Sequence, residues 1–185
     1  MKIPLLVATI ATFAGMSLAS LFGQNPQPVE SQFAPLLVQA PTHEYHQRVI
    51  VTPERIYIPK TNLDLQLKSA ASQAGSYEFF PDAASYLATS AKPGEWGNAV
   101  IYAHNTEDFF GPLEKVFLGD RVFIEGEGKT KSYLVSAIRV VSPAEVGVIA
   151  QTADERLTLL TCTGAQKSQR LIIIAKPASS FAALL

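Results

Sequence analysis

The sequence predicts a mainly β domain that closes, or nearly closes, into a barrel behind an N-terminal apolar segment. Many short runs alternate apolar and polar residues, and Gly-, Pro- and Asn-rich stretches separate them. The chain of 185 residues shows no internal repeat and no low-complexity tract. A domain of about 130 to 140 residues is long enough to bury a core, so the pattern favours one β-barrel.

The first segment, residues 1–22, contains an uncharged apolar run at 3–22 behind Lys2. A run of this length can cross a hydrocarbon core, and the basic flank favours an N-terminus on the inner side. A cleaved signal peptide is the alternative, because Ser17 and Ala19 have the spacing of a cleavage site. We favour an uncleaved transmembrane anchor, since the run is long for a signal-peptide core. Either interpretation places the main domain outside the cytoplasm.

Residues 23–48 contain four prolines and predict an extended extracytoplasmic linker that holds the domain away from the membrane. His43 and His46 in this linker have H-x-x-H spacing. No cysteine or clear helix accompanies them, so we expect solvated histidines rather than a metal site. The predicted domain occupies residues 49–177, and residues 178–185 form a C-terminal tail.

Within the domain, alternating runs and short continuous apolar runs together predict seven strands. They are residues 55–60, 63–68, 99–103, 121–125, 132–138, 156–161 and 170–175. The stretch 126–128, Gly-Glu-Gly, predicts a hairpin between two of them. Residues 81–87 predict a short helix or turn, and residues 110–117 about two helical turns. Ser142 and Pro143 have the N-cap and first-turn chemistry of a further helix.

Cys162 is the only cysteine and stands at the end of a predicted strand. In an exported domain it has no partner for an internal disulfide, so it is either an inert buried thiol or a nucleophile. His104 also ends a strand, and Arg170 begins the strand after Cys162, where hairpin pairing would bring the two together. A thiolate can attack a carbonyl, an imidazole can carry the proton and a guanidinium can bind the oxyanion. On their own, these positions support the catalytic and the structural interpretation about equally.

The residues around this constellation resemble the sortases, the cysteine transpeptidases of bacterial cell surfaces. Residues 158–162, Thr-Leu-Leu-Thr-Cys, match the TLxTC signature of that family. Arg170 and the strand after it resemble the family's catalytic arginine and final strand, and residues 93–104 resemble the segment ending in the catalytic histidine. Residues 110–122 match the pattern F-x-x-L…G-D-x-V. The resemblance covers residues 49–176, with Ile-Pro-Lys and Leu-Asp-Leu near its start.

This resemblance implies an eight-stranded closed β-barrel with short helices and the site in a groove at one side. It implies that the enzyme cleaves an LPxTG-like sorting signal of a surface protein through a thioacyl-enzyme. An amine of a peptidoglycan precursor or of a pilin lysine then resolves the intermediate. Cys162 would be the nucleophile, His104 the general acid and base, and Arg170 the clamp on the oxyanion and substrate.

The resemblance also suggests which residues line the groove. Leu160 and Thr161, next to the nucleophile, are candidates for substrate contacts. Apolar walls would come from the loop after Ile138 and from residues 146–149. The chain departs from many sortases at Asn105, where their histidine is followed by arginine. We expect this change to affect loop contacts more than the chemistry.

The sequence predicts no cofactor. Some sortases bind calcium, and acidic residues lie near the expected site at Glu107, Asp108, Glu114, Asp154 and Glu155. These clusters lack ligand spacing, which is more typical of solvated acids. A formal charge of −1 gives no support for a nucleic-acid partner, because phosphate binding needs surplus Lys and Arg.

Three alternatives to a sortase transpeptidase can be compared with the sequence. A thiol hydrolase on the same barrel would need the same three residues and let water resolve the intermediate. An L,D-type transpeptidase would carry a Ser-His-Gly-type motif before its cysteine, which residues 158–162 lack. A non-catalytic, membrane-tethered binding domain would keep Cys162 buried and unreactive.

Overall fold

The alternating runs form strands, and the stretches rich in Gly and Pro form the turns between them. A computed structural model describes residues 48–73 and 76–178. Its strands are β1 Arg55–Ile58, β2 Leu63–Ala70, β3 Ser72–Gln73, β4 Ser76–Tyr77, β5 Ala84–Leu87, β6 Gly97–Tyr102, β7 Arg121–Gly126, β8 Lys129–Val141, β9 Glu155–Thr163 and β10 Gln169–Pro177. Short 3-10 helices lie at Pro59–Thr61, Gly111–Lys115, Val146–Ile149 and Ala165–Lys167.

Eight of these strands close into a barrel in the order β1-β2-β5-β6-β9-β10-β8-β7. The pairs β2–β5 and β6–β9 are parallel, and the other neighbours in the barrel are antiparallel. The short strands β3 and β4 pair with each other in a separate two-stranded ladder. The predicted class, a mainly β chain with an eight-stranded closed barrel, is therefore confirmed.

The predicted apolar segment at 3–22 lies outside the described residues, as does nearly all of the predicted linker. Within residues 48–73 and 76–178, no helix has the length and apolar character needed to cross a bilayer.

The core fills the inside of the barrel, and the two-residue period of the strands decides which side chains reach it. On β9, Leu157 and Leu159 are fully buried among the interior side chains. Leu160 points to the other face, where it packs against a second cluster that includes Val100 and Tyr102. Because Cys162 is two residues beyond Leu160, it lies on this outer face as well. The nucleophile candidate therefore faces a groove on the outside of the barrel.

The hairpin between β7 and β8 is confirmed, and its turn shows why glycine is needed. Gly126 pairs with Lys129 across a two-residue loop. Glu127 and Gly128 in that loop have φ values of 52° and 70°. Two positive φ values in succession are typical of a type I′ turn, whose twist matches that of the flanking strands.

The prediction of a helix or turn at 81–87 is wrong, because Ala84–Leu87 forms strand β5. All four of its residues are buried, and Leu67 of β2 pairs with Ala84 in parallel register. Alanine and serine give this segment little local preference for strands. The non-local pairing with β2 and burial on both faces decide its conformation.

The two helix predictions are only partly right. At residues 110–117 the helix is a single 3-10 segment, Gly111–Lys115. At Ser142 no helix begins: its Oγ accepts a hydrogen bond from the Ala144 amide at 3.3 Å, which stabilises a local turn instead. The next 3-10 helix starts only at Val146.

Candidate active site

The thiol and the guanidinium come from neighbouring strands. Cys162 is the penultimate residue of β9, and Arg170 is the second residue of β10. In the antiparallel β9–β10 register the two residues are directly opposite each other. Side chains of directly opposite residues lie on the same face of a sheet. The prediction that strand pairing brings Arg170 beside Cys162 is confirmed.

His104 follows the end of β6, which runs parallel to β9. Tyr102 is opposite Leu160 in that pair. One residue further, the Ala103 amide donates to the Leu160 carbonyl at 3.3 Å, and the Thr161 hydroxyl donates to the Ala103 carbonyl at 2.8 Å. The next residue on each chain is His104 and Cys162, so the strand register places them at the same level.

Aromatic side chains orient the imidazole of His104, which is exposed to solvent. Its ring stacks on Phe79 with the centroids 4.4 Å apart and the planes 12° from parallel. Phe109 meets it edge-on at 6.5 Å, and Phe79 in turn meets Tyr102 edge-on at 5.1 Å. Phe79 follows β4, in the connection between β2 and β5, where no sequence motif marked it as part of the site.

Arg170 is half-buried, and its guanidinium is held by its own turn. Its Nη1 donates to the carbonyls of Lys167 at 3.1 Å and Gln169 at 3.0 Å. Gln166 and Lys167 have positive φ values of 53° and 60°, which L-residues seldom adopt. Backbone strain of this kind persists only where the surrounding structure holds it. The two hydrogen bonds thus attach the guanidinium to the β9–β10 turn, and Arg170 lines the cavity in the groove.

The groove contains a cavity of about 210 Å³ lined by both Cys162 and Arg170. Its walls are largely apolar, and Glu145 is the acidic residue among them. That carboxylate forms an ion pair with Arg139 at 2.8 Å. The walls predicted at 146–149 are confirmed, whereas those predicted from a loop after Ile138 come from the end of β8 and the turn that follows Val141. The lining residues are Tyr77, Phe79, Val100, Tyr102, Ala103, Val141, Ser142, Pro143, Glu145, Val146, Val148, Ile149, Leu160, Thr161, Cys162 and Arg170.

The two predicted groove residues differ in what they can offer a ligand. Leu160 is half-buried and lines the cavity with its apolar side chain. Thr161 also borders the cavity but is only 1% exposed, and its hydroxyl is bonded to the Ala103 carbonyl. Thr161 therefore joins two strand ends.

Sequence reasoning missed the part that Asn105 takes in the site. Its Nδ2 donates to the Cys162 carbonyl at 2.7 Å and to Glu114 Oε1 at 2.8 Å. The Thr163 hydroxyl donates to the same Glu114 oxygen at 3.2 Å. The departure from a His-Arg sequence was the available signal. From that signal we expected Asn105 to affect loop contacts, whereas one of its hydrogen bonds is to the Cys162 carbonyl on strand β9.

Three of the acidic residues considered for calcium have other partners, and Glu114 among them is bonded to Asn105 and Thr163. Asp154 forms ion pairs with Lys176 and Arg156, and Glu155 with Lys131. Throughout the part of the chain that the structure describes, no group of three or more His, Cys, Asp or Glu residues is arranged to hold a metal ion. The absence of a cofactor, with calcium as the alternative, stays a prediction.

Fold and site together define a class of protein: an eight-stranded β-barrel that presents one free thiol in an outer groove, with an arginine opposite it and a histidine at the next strand end. Residues 56–178 match the family model described as "Sortase domain". The chain therefore belongs to the sortase family, whose members are cysteine transpeptidases.

Similarity to individual sortases agrees with this. The chain is 35% identical over 69 residues to sortase A of Listeria monocytogenes, a match that covers 36% of this chain and 31% of that protein. It is 31% identical over 94 residues to the putative sortase YwpE of Bacillus subtilis, covering 49% of this chain and 91% of that protein. The aligned part thus spans less than a third of the sortase A relative.

Solved structures of sortases have the same fold. The match to sortase A from Corynebacterium diphtheriae has a TM-score of 0.60 at 29% identity and covers 71% of this chain and 62% of that one. The match to Streptococcus agalactiae sortase C1 has a TM-score of 0.59 at 30% identity, covering 66% and 65% respectively.

Proposed function

We propose that this protein is a membrane-anchored sortase transpeptidase that cleaves an LPxTG-like sorting signal and joins the surface protein to an amine. The observation that carries the proposal is the cross-strand pair of Cys162 and Arg170 at one apolar cavity. His104 does not line that cavity, and its inclusion in the proposed site is supported by the bonds that hold its strand end to β9 at the level of the thiol. In this proposal Cys162 is the nucleophile and His104 is the general acid and base. Arg170 binds the oxyanion and the substrate.

The reaction divides into two acyl transfers. The Cys162 thiolate attacks the threonine carbonyl of the signal, and Arg170 stabilises the negative charge on its oxygen. The Thr–Gly C–N bond breaks, and His104 supplies the proton that the leaving amine takes up. The resulting thioester is attacked by a second amine, which forms the new amide bond. His104 accepts the proton of that amine, and the thiolate of Cys162 leaves.

The cavity supports a substrate with apolar residues before the scissile bond. Val146, Ile149 and Leu160 give it the apolar walls that leucine and proline side chains of such a signal require. The second amine would belong to a peptidoglycan precursor or to a pilin lysine. The apolar run at 3–22 would anchor the chain in the cell membrane with the barrel outside the cytoplasm.

The test is to incubate the full chain in detergent with LPxTG-type peptides and amines, and to measure protein and product masses. We expect an acyl adduct on Cys162, an amine-ligated product and neither in Cys162→Ala. Asp64→Asn, an exposed change on β2 at the far side of the barrel, is the matched control and should retain both. An adduct that yields only hydrolysed peptide would favour a thiol hydrolase. Absence of adduct with every peptide, together with an unreactive thiol, would favour a binding domain and contradict the proposal.

A further inference from the structure

The hydrogen-bond ladder between β6 and β9 continues past the point where the backbone of β6 turns away. In a parallel pair, successive bonds from one strand leave every second residue. Ala103 supplies one bond, from its amide to the Leu160 carbonyl. The next would come from the amide of residue 105 to the Cys162 carbonyl. Instead the side-chain amide of Asn105 makes that bond at 2.7 Å.

After His104 the backbone folds into the next turn. The Phe110 amide donates to the His104 carbonyl at 2.9 Å, and the Gly111 amide donates to the Thr106 carbonyl at 2.9 Å. The Asn105 side chain therefore takes the place of a strand residue. It extends the pairing by one bond, to the residue that carries the thiol.

Glu114 completes the arrangement. Its Oε1 accepts the second N–H of Asn105 at 2.8 Å and the hydroxyl of Thr163 at 3.2 Å. We call these three residues, Asn105, Glu114 and Thr163, the strand-end clamp. Hydrogen bonds to an ionised carboxylate are stronger than those between neutral groups. The clamp thus joins the segment after His104 to the residues on either side of the Cys162 carbonyl.

The bonds flank the histidine and the thiol on both sides. Before them, the Thr161 hydroxyl is bonded to the Ala103 carbonyl at 2.8 Å. After them, the clamp bonds Asn105 to Cys162 and to Glu114. The backbones that carry His104 and Cys162 are thus linked on both sides. A displacement of about 1 Å at a reacting group can lower a rate about 10²-fold.

We propose that Asn105 and Glu114 are positioning residues that set the placement of His104 relative to Cys162. The proposal rests on the proposed function in assigning His104 to act on the thiol. Asparagine suits the position because one short side chain offers two N–H donors from a single nitrogen. Aspartate has the same shape and no donor, and alanine has neither. Glutamine in place of Glu114 would keep an acceptor oxygen and remove the charge.

The experiment measures how strongly His104 affects the thiol, using the rate at which iodoacetamide alkylates Cys162 in the folded full chain. His104→Ala is made in the parent, in Asn105→Ala, in Asn105→Asp and in Glu114→Gln. The ratio of the rates with and without His104 gives the coupling in each background. Peptide cleavage is measured in parallel to separate kcat from KM. Asp64→Asn, an exposed carboxylate on the opposite side of the barrel, is the matched control.

We expect His104→Ala to change the alkylation rate in the parent and in Asp64→Asn, and to change it little in Asn105→Ala or Asn105→Asp. We expect kcat to fall about 10- to 100-fold in these two variants with KM nearly unchanged. Glu114→Gln should retain most of the coupling, because its oxygen can still accept both bonds.

Equal coupling in the parent and in both Asn105 variants would overturn the proposal, and so would an absence of coupling in the parent. A purely structural part for Asn105 would lower the melting temperature and leave the coupling intact. If Asn105→Ala does not fold, the near-isosteric Asn105→Asp still decides the question, because it too removes the donor to the Cys162 carbonyl. Alkylation needs no peptide, so failure of the proposed transpeptidation would be recognised separately.

Discussion

The two ends of strand β9 differ in whether their polar side chains are paired and buried or face a groove. Glu155 begins the strand and Cys162 stands near its end, about 23 Å away at 3.3 Å per residue. At the first end, Glu155 accepts the Tyr133 hydroxyl at 2.9 Å and pairs with Lys131 at 3.0 Å. At the second end, Cys162 is half-buried in a groove and the His104 ring is held by aromatic faces.

The polar groups at the Glu155 end satisfy one another. The side chains of Lys131 and Glu155 are only 15% and 10% exposed. The Tyr133 hydroxyl also accepts a bond from the Gly94 amide at 3.1 Å. Burial, followed by the charge and hydrogen bond of Glu155, raises the pKa of Tyr133 far above its ordinary value. The tyrosine therefore stays neutral and keeps donating to the carboxylate.

The Glu155 end of β9 contributes to the stability of the barrel, whereas the Cys162 end carries the reactive side chains. Buried polar groups cost free energy unless they are paired, so the Glu155 end contributes to folding only as a complete network. At the Cys162 end the backbone and neighbouring side chains are bonded, while the reacting side chains face a groove. Substitutions at the two ends should therefore have different consequences.

The largest effect is expected from His104→Ala, and it should be a loss of activity with only a small loss of stability. Loss of the general acid and base should lower peptide cleavage about 10²- to 10⁴-fold. The side chain is exposed and has two aromatic contacts, so the free energy of unfolding should fall by only about 1 to 2 kcal/mol. Peptide kinetics and a urea titration on the same preparation test both statements. A loss of stability large enough to account for the lost activity would remove the distinction between the two ends.

Glu155→Ala should have the converse effect, on stability. It leaves Lys131 without its partner and the Tyr133 hydroxyl without an acceptor, which should cost about 3 kcal/mol, as for a broken buried pair. Activity per folded molecule should change little. Glu155→Gln is the matched control, because it keeps an acceptor for Tyr133 and should lose less. Calorimetric melting together with active-site titration of Cys162 measures both, and an unchanged melting temperature in Glu155→Ala would contradict the prediction.

The smallest effect is expected at a surface pair that belongs to neither end. The Arg55 guanidinium forms two hydrogen bonds to Asp64, and these lower the pKa of that carboxyl. Because the folded-state pKa of this carboxyl is lowered, the ion pair stabilises the fold at any pH above the unfolded-state pKa of about 3.9. The stabilisation is lost as the pH falls through the folded-state pKa. Asp64→Asn should therefore be slightly less stable than the parent at pH 7, and the difference should shrink on acidification. Melting curves at neutral and acidic pH test this; a difference that grows with acid would refute it.

The sequence predicted most strands because their patterns are local. Residues 63–68 and 121–125 alternate clearly, and strands β2 and β7 include them. It failed at β5, whose Ala and Ser residues carry little preference of their own and become a strand through pairing with β2. The helix expected at Ser142 failed for a related reason, since an N-cap residue also stabilises isolated turns.

The site residues also divide into those that a local pattern predicts and those that depend on non-local contacts. Cys162 and Arg170 could be placed together because a short connection between two apolar runs favours antiparallel pairing. The stacking of Phe79 on His104 could not be predicted. Phe79 lies in the connection between β2 and β5, His104 follows β6, and no local pattern in the sequence links the two. Asn105 was noticed as a departure, but its bond to the Cys162 carbonyl depends on where the backbone leaves β6.

Local patterns were enough to predict the kinds of element and the chemical groups available: short strands, one thiol, a histidine and an arginine at strand ends, and the motif of a family. These follow from local periodicity and residue chemistry. The strand order of the barrel, the outward direction of Cys162, the stack of Phe79 on His104 and the strand-end clamp depend on tertiary contacts. Those contacts join residues far apart in the chain, and the free energy that selects them comes from closing the barrel and burying its core.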